Sequence, residues 1–197
     1  MGGDLWSFWR DIVRPMAQMP VLHDFDLALS QVDAGVEKRL SVRTARHPSE
    51  TLDRLWLRVL AFCVFWDERL QFGPGLSDPD APDLESTDLT GVRTLWMRIG
   101  KPEPLRVQKA ADQNGRARIV VVFESPERMA AFIAAGRQAS LGRLARVELC
   151  AIDPALTAAL AEVDERRTKV SVTFVGDQFY VDRGGQTLEG ALTRGTF

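Results

Sequence analysis

Two cysteines and two histidines are all that 197 residues offer for soft metal chemistry. Cys63 and Cys150 lie in apolar stretches and read as buried, reduced thiols, which suits a cytoplasmic location. A structural zinc site needs more sulfur and imidazole than this, and His23 and His47 alone do not make a histidine-based centre. Long apolar runs are also missing. The longest, Val59 to Trp66, falls far short of the roughly 20 residues of a membrane span. Residues 1–10 lack a basic region followed by an apolar run and a small-residue cleavage site, so a soluble, unexported protein is expected. There are no repeats or low-complexity segments. Neither sign of charge is in large excess. The net charge of −2 argues neither for nor against a nucleic-acid partner. Lysine is rare, four residues against 21 arginines. Arginine is the better bidentate phosphate ligand, although a GC-rich genome produces the same bias. What is present is a core: 45% hydrophobic and 26% charged residues suit one globular domain, alone or with an appendage.

Periodicity divides the chain near residue 19. Leu5, Trp6, Trp9, Ile12, Val13 and Met16 recur at helical spacing, limited by Pro15 and Pro20. Residues 1–18 therefore read as an amphipathic N-terminal extension, set against the domain, a partner or a membrane surface, or loosely ordered. Residues 19–197 read as a single domain that folds without it, and Met16 or Met19 is a candidate start. Phe25, Leu27 and Leu29 alternate with polar or small residues, a turn follows at Asp33-Ala34-Gly35, and Leu40 and Val42 complete a β-hairpin. His47-Pro48-Ser49-Glu50 reads as a helix start, with Pro48 in the first helical position and Glu50 reaching back to a free backbone N–H. That helix is expected to run to about Trp66. Its buried stripe is Leu52, Leu55, Trp56, Val59, Leu60, Cys63 and Val64, and Asp53, Arg54 and Arg58 face solvent.

Leu70 to Leu76 reads as a short strand broken by Gly73-Pro74-Gly75. Ser77 to Asp88 carries Asp78, Asp80, Asp83, Glu85 and Asp88. This is either a solvated loop or a carboxylate cluster for a divalent cation. Arg93–Ile99 reads as a strand, Pro104–Gly115 as a helix, and Ile119–Phe123 as a strand buried on both faces. Further helices are expected from Pro126 to about Leu144 and from Pro154 to about Arg166, with a strand at Val147–Ile152 between them. This order predicts an α/β fold with parallel pairing and right-handed crossovers. Val170, Val172 and Phe174, then Phe179 and Val181, predict a C-terminal hairpin and a last strand. The two terminal β-hairpins are expected to pair with each other in an additional antiparallel sheet.

The run Ala45-Arg46-His47-Pro48-Ser49-Glu50-Thr51 is followed by Arg54, Arg58, Leu60-Ala61-Phe62 and Asp67-Glu68-Arg69-Leu70-Gln71-Phe72-Gly73. Together these resemble the opening signature of the YaeQ family. The similarity continues through Gly75-Leu76-Ser77, Asp80, Pro82, Asp88-Leu89-Thr90-Gly91, Trp96, Gly100, Pro102 and Lys109-Ala110, and spans residues of about 20 to 193. The resemblance implies the fold of the magnesium-dependent PD-(D/E)XK nucleases, a restriction-endonuclease-like mixed sheet flanked by helices. In such a site two carboxylates hold Mg²⁺, which activates water and neutralises the leaving oxygen, while a lysine steadies nucleophile and phosphate.

The sequence departs from the family pattern at two such positions. An expected Asp-Glu-Pro reads Asp80-Ala81-Pro82, and an expected Trp-Ile-Glu-Leu-Gly reads Trp96-Met97-Arg98-Ile99-Gly100. Lys109 remains, and Glu85 stands where the pattern has a Trp. Candidate residues are Asp80, Asp83 and Lys109 for catalysis, Glu50, Asp80, Asp83 and Glu85 for a metal, and Arg98 and Lys109 for a polyanion. Glu50 also reads as a helix-start carboxylate and Lys109 as a surface residue. The resemblance then implies a catalytically degenerate nuclease-fold protein that binds a nucleic acid or protein partner, with no cofactor. Two alternatives stand beside it: a magnesium-dependent nuclease using Asp80, Asp83 or Glu85, and a purely structural or interaction protein.

Overall fold

Phe25, Leu27 and Leu29 are buried on one face of strand β1 (Val21–Gln31) in the computed structural model, which describes residues 19–78 and 80–197. The amphipathic reading of residues 1–18 lies outside the described residues. A turn at Gly35, whose φ of 62° suits glycine, reverses the chain into β2 (Val36–Arg46). Helix α1 (Leu52–Val64) follows. It does not start at Pro48, which lies in a turn closed by Glu50 N–H donating to the His47 carbonyl (2.8 Å). Thr51 is the N-cap, because its hydroxyl accepts from Arg54 N (3.3 Å). Nine consecutive residues of α1, Leu55 to Cys63, are buried, so the helix lies inside the protein. Arg58 is among them and Arg54 is mostly covered, against the expectation that both face solvent.

The rest of the chain adds β3 (Gln71–Phe72), β4 (Leu84–Thr87), β5 (Arg93–Ile99), α2 (Pro104–Gln113), β6 (Arg118–Phe123), α3 (Pro126–Gln138), β7 (Glu148–Ile152), α4 (Pro154–Ala161), β8 (Arg167–Val175), β9 (Gln178–Arg183) and β10 (Gln186–Gly195). Helices α2, α3 and α4 begin at their prolines as expected; Ser125 and Asp153 cap α3 and α4 through their side-chain oxygens. Helix α3 stops at Gln138 because Ser140 takes a positive φ of 54°. Among the described residues, no helix is long and apolar enough to cross a membrane.

Among the described residues, all ten strands form one sheet in the order β2-β1-β8-β9-β10-β7-β6-β5-β4-β3. The terminal hairpins share this sheet and do not build an additional antiparallel one. Strand β1 runs parallel to β8, and β10 joins the two halves, pairing with β9 through Gln186–Ala191 and with β7 through Leu192–Gly195. The physical reason is length: ten residues of β10 outreach six of β9 and have donors left for β7. Strands β5, β6 and β7 are parallel, as the strand–helix alternation predicts.

Two apolar cores sit on opposite faces of this central trio. Leu95, Met97, Val120, Val122, Cys150 and Ile152 pack with α1 and α4 on one face. Trp96, Ile119, Val121, Phe123, Leu149 and Ala151 pack with α2 and α3 on the other. That explains the uninterrupted apolar run of β6. The fold is thus α/β, a mixed sheet flanked by helices on both faces.

Candidate functional site

Glu50 and Asp83 are buried carboxylates, with side chains 0% exposed, and both are held by arginines. Glu50 ends the loop before α1, and Asp83 stands one residue before β4, where its N–H donates to Met97 of β5 (2.8 Å). Arg54, on the first turn of α1, reaches both. Its Nη1 donates to Glu50 Oε1 (2.5 Å), and its Nη2 to Asp83 Oδ1 (2.5 Å) and the Ile99 carbonyl (3.2 Å). Arg58, one turn on, donates Nη1 to Glu50 Oε2 (2.8 Å) and Nη2 to Thr44 Oγ1 of β2, and its guanidinium lies over the Phe72 ring. Arg98, on β5, brings Nε to 3.5 Å from Asp83 Oδ2 and donates Nη1 to the Ala81 carbonyl. Asp83 Oδ2 also accepts from Ile99 N (2.8 Å). Three guanidinium groups thus face two carboxylates and leave one net positive charge. Burial alone would lower the pKa of Arg54, but Asp83 and Glu50 offset it and hold that guanidinium above its ordinary value. Removing one partner of such a buried pair costs about 3–5 kcal/mol, because the other charge is stranded.

Beside this clamp lies a half-enclosed cavity of about 480 Å³. Arg54 and Arg98 line one side, and the start of α2 lines the other with Arg106 and Lys109. Trp96, Ile99, Val107 and Ala110 line its apolar part. Arg106 lies between Asp80 (3.1 Å) and Glu103 (3.3 Å), and Glu124 lies between Lys101 (3.0 Å) and Arg128 (3.4 Å). Lys109 is exposed and makes no salt bridge among the described residues.

The candidates from the sequence separate into three places. Glu50, Asp83 and Arg98 come together in the clamp. Asp80 and Lys109 line the cavity. Glu85 lies apart, on β4, paired with Arg93 at 2.8 Å. Sequence reasoning missed Arg54 as the centre of the cluster, and it missed Arg106. The spacing of Arg106 and Lys109, three apart on α2, was the available signal for the latter. Magnesium, the ion that the resemblance implies, needs open carboxylate oxygens. Here both oxygens of Asp83 already accept hydrogen bonds, from Arg54 and from Ile99 N, with Arg98 alongside. The donor set as it stands does not fit that ion. Among the described residues, no three Asp, Glu, His or Cys side chains gather as metal ligands.

A family model described as YaeQ protein matches residues 16–192. The YaeQ protein of Salmonella typhi is 33% identical over 150 residues, which is 76% of this chain and 81% of that protein. The YaeQ protein of Escherichia coli K12 is 28% identical over 179 residues, 90% of this chain and 97% of that one. Among solved structures, the YaeQ protein of Xanthomonas axonopodis pv. citri is 30% identical with a TM-score of 0.79, covering 90% of this chain and 98% of its own. That of Pseudomonas syringae is 27% identical with a TM-score of 0.79, covering 90% and 97%. With its hairpins, its central parallel strands and its arginine-clamped carboxylates all inside the matched span, the chain belongs to the YaeQ family.

Proposed function

We propose that this protein is a catalytically degenerate member of the PD-(D/E)XK-like scaffold that binds an anionic partner, a nucleic acid in the first instance, without a metal ion. The observation that carries this reading is the arginine clamp on Asp83. A guanidinium ligates no cation and is not deprotonated at working pH. It holds phosphate well, however, through paired N–H groups. Arg98 therefore supplies the positive charge that a carboxylate-bound ion supplies in a metal-dependent site. The parallel run of β5, β6 and β7, with a carboxylate beside the β4 start and helices on both faces, supports the nuclease-like scaffold. A cytoplasmic location belongs to the same reading. It is supported by two cysteines, Cys63 and Cys150, that are both free and buried.

The test is fluorescence anisotropy of labelled single- and double-stranded DNA and RNA across a salt series, in EDTA and in magnesium. Binding should weaken steeply with salt, as phosphate contacts do, and should be the same in EDTA and magnesium. Affinity that requires magnesium, or no salt-sensitive affinity at all, would refute the reading.

A further inference from the structure

We propose that the cavity beside the arginine clamp takes a phosphomonoester carried on an apolar or aromatic body about the size of one nucleotide. This inference deepens the anion-binding reading and rests on it.

The size of the cavity favours a single small ligand. A half-enclosed space of about 480 Å³ lies in the range of roughly 300–1,000 Å³ that holds one small ligand. It is a pocket for a single group more than a track for a long backbone.

Polarity is unevenly distributed over the lining. Leu76 and Pro102, each half-buried, give the lining open apolar surface, whereas Trp96, Ile99, Val107 and Ala110, each 7% exposed or less, back it from behind and add almost none. A bare inorganic anion gains nothing from such a surface. An organic body that covers it gains about 25 cal/mol per Å² of apolar area removed from water.

The charge around the cavity favours a doubly charged anion. The salt bridges around the cavity cancel one another: Arg106 is shared by two acids, Asp80 and Glu103, and Glu124 by two bases, Lys101 and Arg128. Among the described residues, what remains is the single excess charge of the buried clamp and the single charge of Lys109. Two positive charges match a phosphomonoester, which carries about −1.5 to −2 at pH 7, better than an internal phosphodiester with one. Arg98 is tied to the Ala81 carbonyl and Asp83, so it acts as a fixed charge, whereas Lys109, exposed and without a salt bridge among the described residues, closes on the phosphate. The same chemistry is offered by a free nucleotide and by the phosphorylated end of a strand.

Competition against a labelled, 5′-phosphorylated single strand tests this. The competitors are adenosine monophosphate, adenosine, inorganic phosphate, and the same strand unlabelled with a 5′-phosphate or a 5′-hydroxyl. The phosphorylated strand should compete about tenfold better than the hydroxyl-ended one, the size of one charge-assisted contact. Adenosine and inorganic phosphate should each compete far more weakly than adenosine monophosphate or the phosphorylated strand. Lys109→Ala should erase the phosphate preference and Lys109→Arg should keep it. Competition by adenosine monophosphate assigns the free nucleotide as a source; competition by the phosphorylated strand alone assigns the strand end. If hydroxyl-ended and phosphorylated strands bind equally and with steep salt dependence, this inference falls and anion binding stands. If inorganic phosphate matches the organic phosphates, the apolar body is refuted. If no probe binds, both readings fall.

Discussion

Replacing Arg98 by glutamate turns the clamp around Asp83 into a cluster of carboxylates, and the consequence can be worked out from the geometry. Arg98 is 13% exposed and 3.5 Å from a fully buried carboxylate. Two unit charges about 4 Å apart at an effective dielectric near 20 interact by about 4 kcal/mol. Reversing the sign therefore spans about 8 kcal/mol, an upper bound, since the shorter glutamate swings away. Loss of Arg98 alone costs less than the penalty of about 3–5 kcal/mol for a stranded buried charge, because Arg54 and Ile99 N still hold Asp83. In EDTA, Arg98→Glu should be destabilised by about 3 kcal/mol, well inside the upper bound for reversing the sign, which lowers Tm by roughly 6–12 °C for a chain of this size. Adding Ala81→Glu supplies a further carboxylate, so the double variant should bind a divalent cation. At a hundred times its Kd the ion returns about 2.7 kcal/mol. The assay is thermal unfolding of wild type, single and double variants in EDTA and in magnesium. Magnesium should raise Tm of the double variant and leave wild type in place. Equal stabilisation of wild type would refute the clamp argument. No response of the double variant would put the site on other residues.

Three further outcomes are expected. His23 is buried, with Nδ1 3.1 Å from the Glu165 carbonyl and Nε2 without a partner among the described residues. Burial lowers its pKa below 6.5 despite the Glu165 bond, so its stabilising contribution is complete above pH 6.5 and is lost as pH falls below that value towards the folded pKa. Urea midpoints of wild type and His23→Phe should diverge in slope only in that window, by at most about 1.4 kcal/mol per pH unit. Arg146 donates to the carbonyls of Ala111, Asn114, Gly115 and Ala117 at the end of α2; Arg146→Ala should cost about 1 kcal/mol in chemical denaturation and raise amide exchange there. Deleting residues 1–18 should leave Tm within a few degrees; a large fall would place Trp6 and Trp9 in the core.

Local signals were the legible part of the sequence. Pro104, Ser125-Pro126 and Asp153-Pro154 set helix starts within one or two residues, and the apolar run of β6 announced a strand covered on both faces. Pairings between distant segments were not legible. The parallel match of β1 with β8 joins residues more than 140 positions apart, and β10 serves two strands at once. Arg58 read as solvent-facing because a buried guanidinium is costly unless paired, and its partners, Thr44 and Glu50, come from β2 and the loop before α1. Asp83 read as part of a solvated acidic loop or of a carboxylate cluster for a cation, and not as an arginine partner, because β4 is only four residues long and its partner arginines lie 15 and 29 positions away. Family resemblance brought Glu50, Arg54, Arg58 and Lys109 into view, but only the fold shows which charges meet.

The central claim, an anion site neutralised by arginine in place of a metal, is tested most directly by incubating the purified protein with single- and double-stranded DNA and RNA in magnesium, in manganese and in EDTA. Binding and cleavage are followed on the same samples. The account predicts salt-sensitive binding that EDTA does not change and Lys109→Ala weakens, with every strand left intact. Metal-dependent cleavage abolished by Lys109→Ala would contradict it.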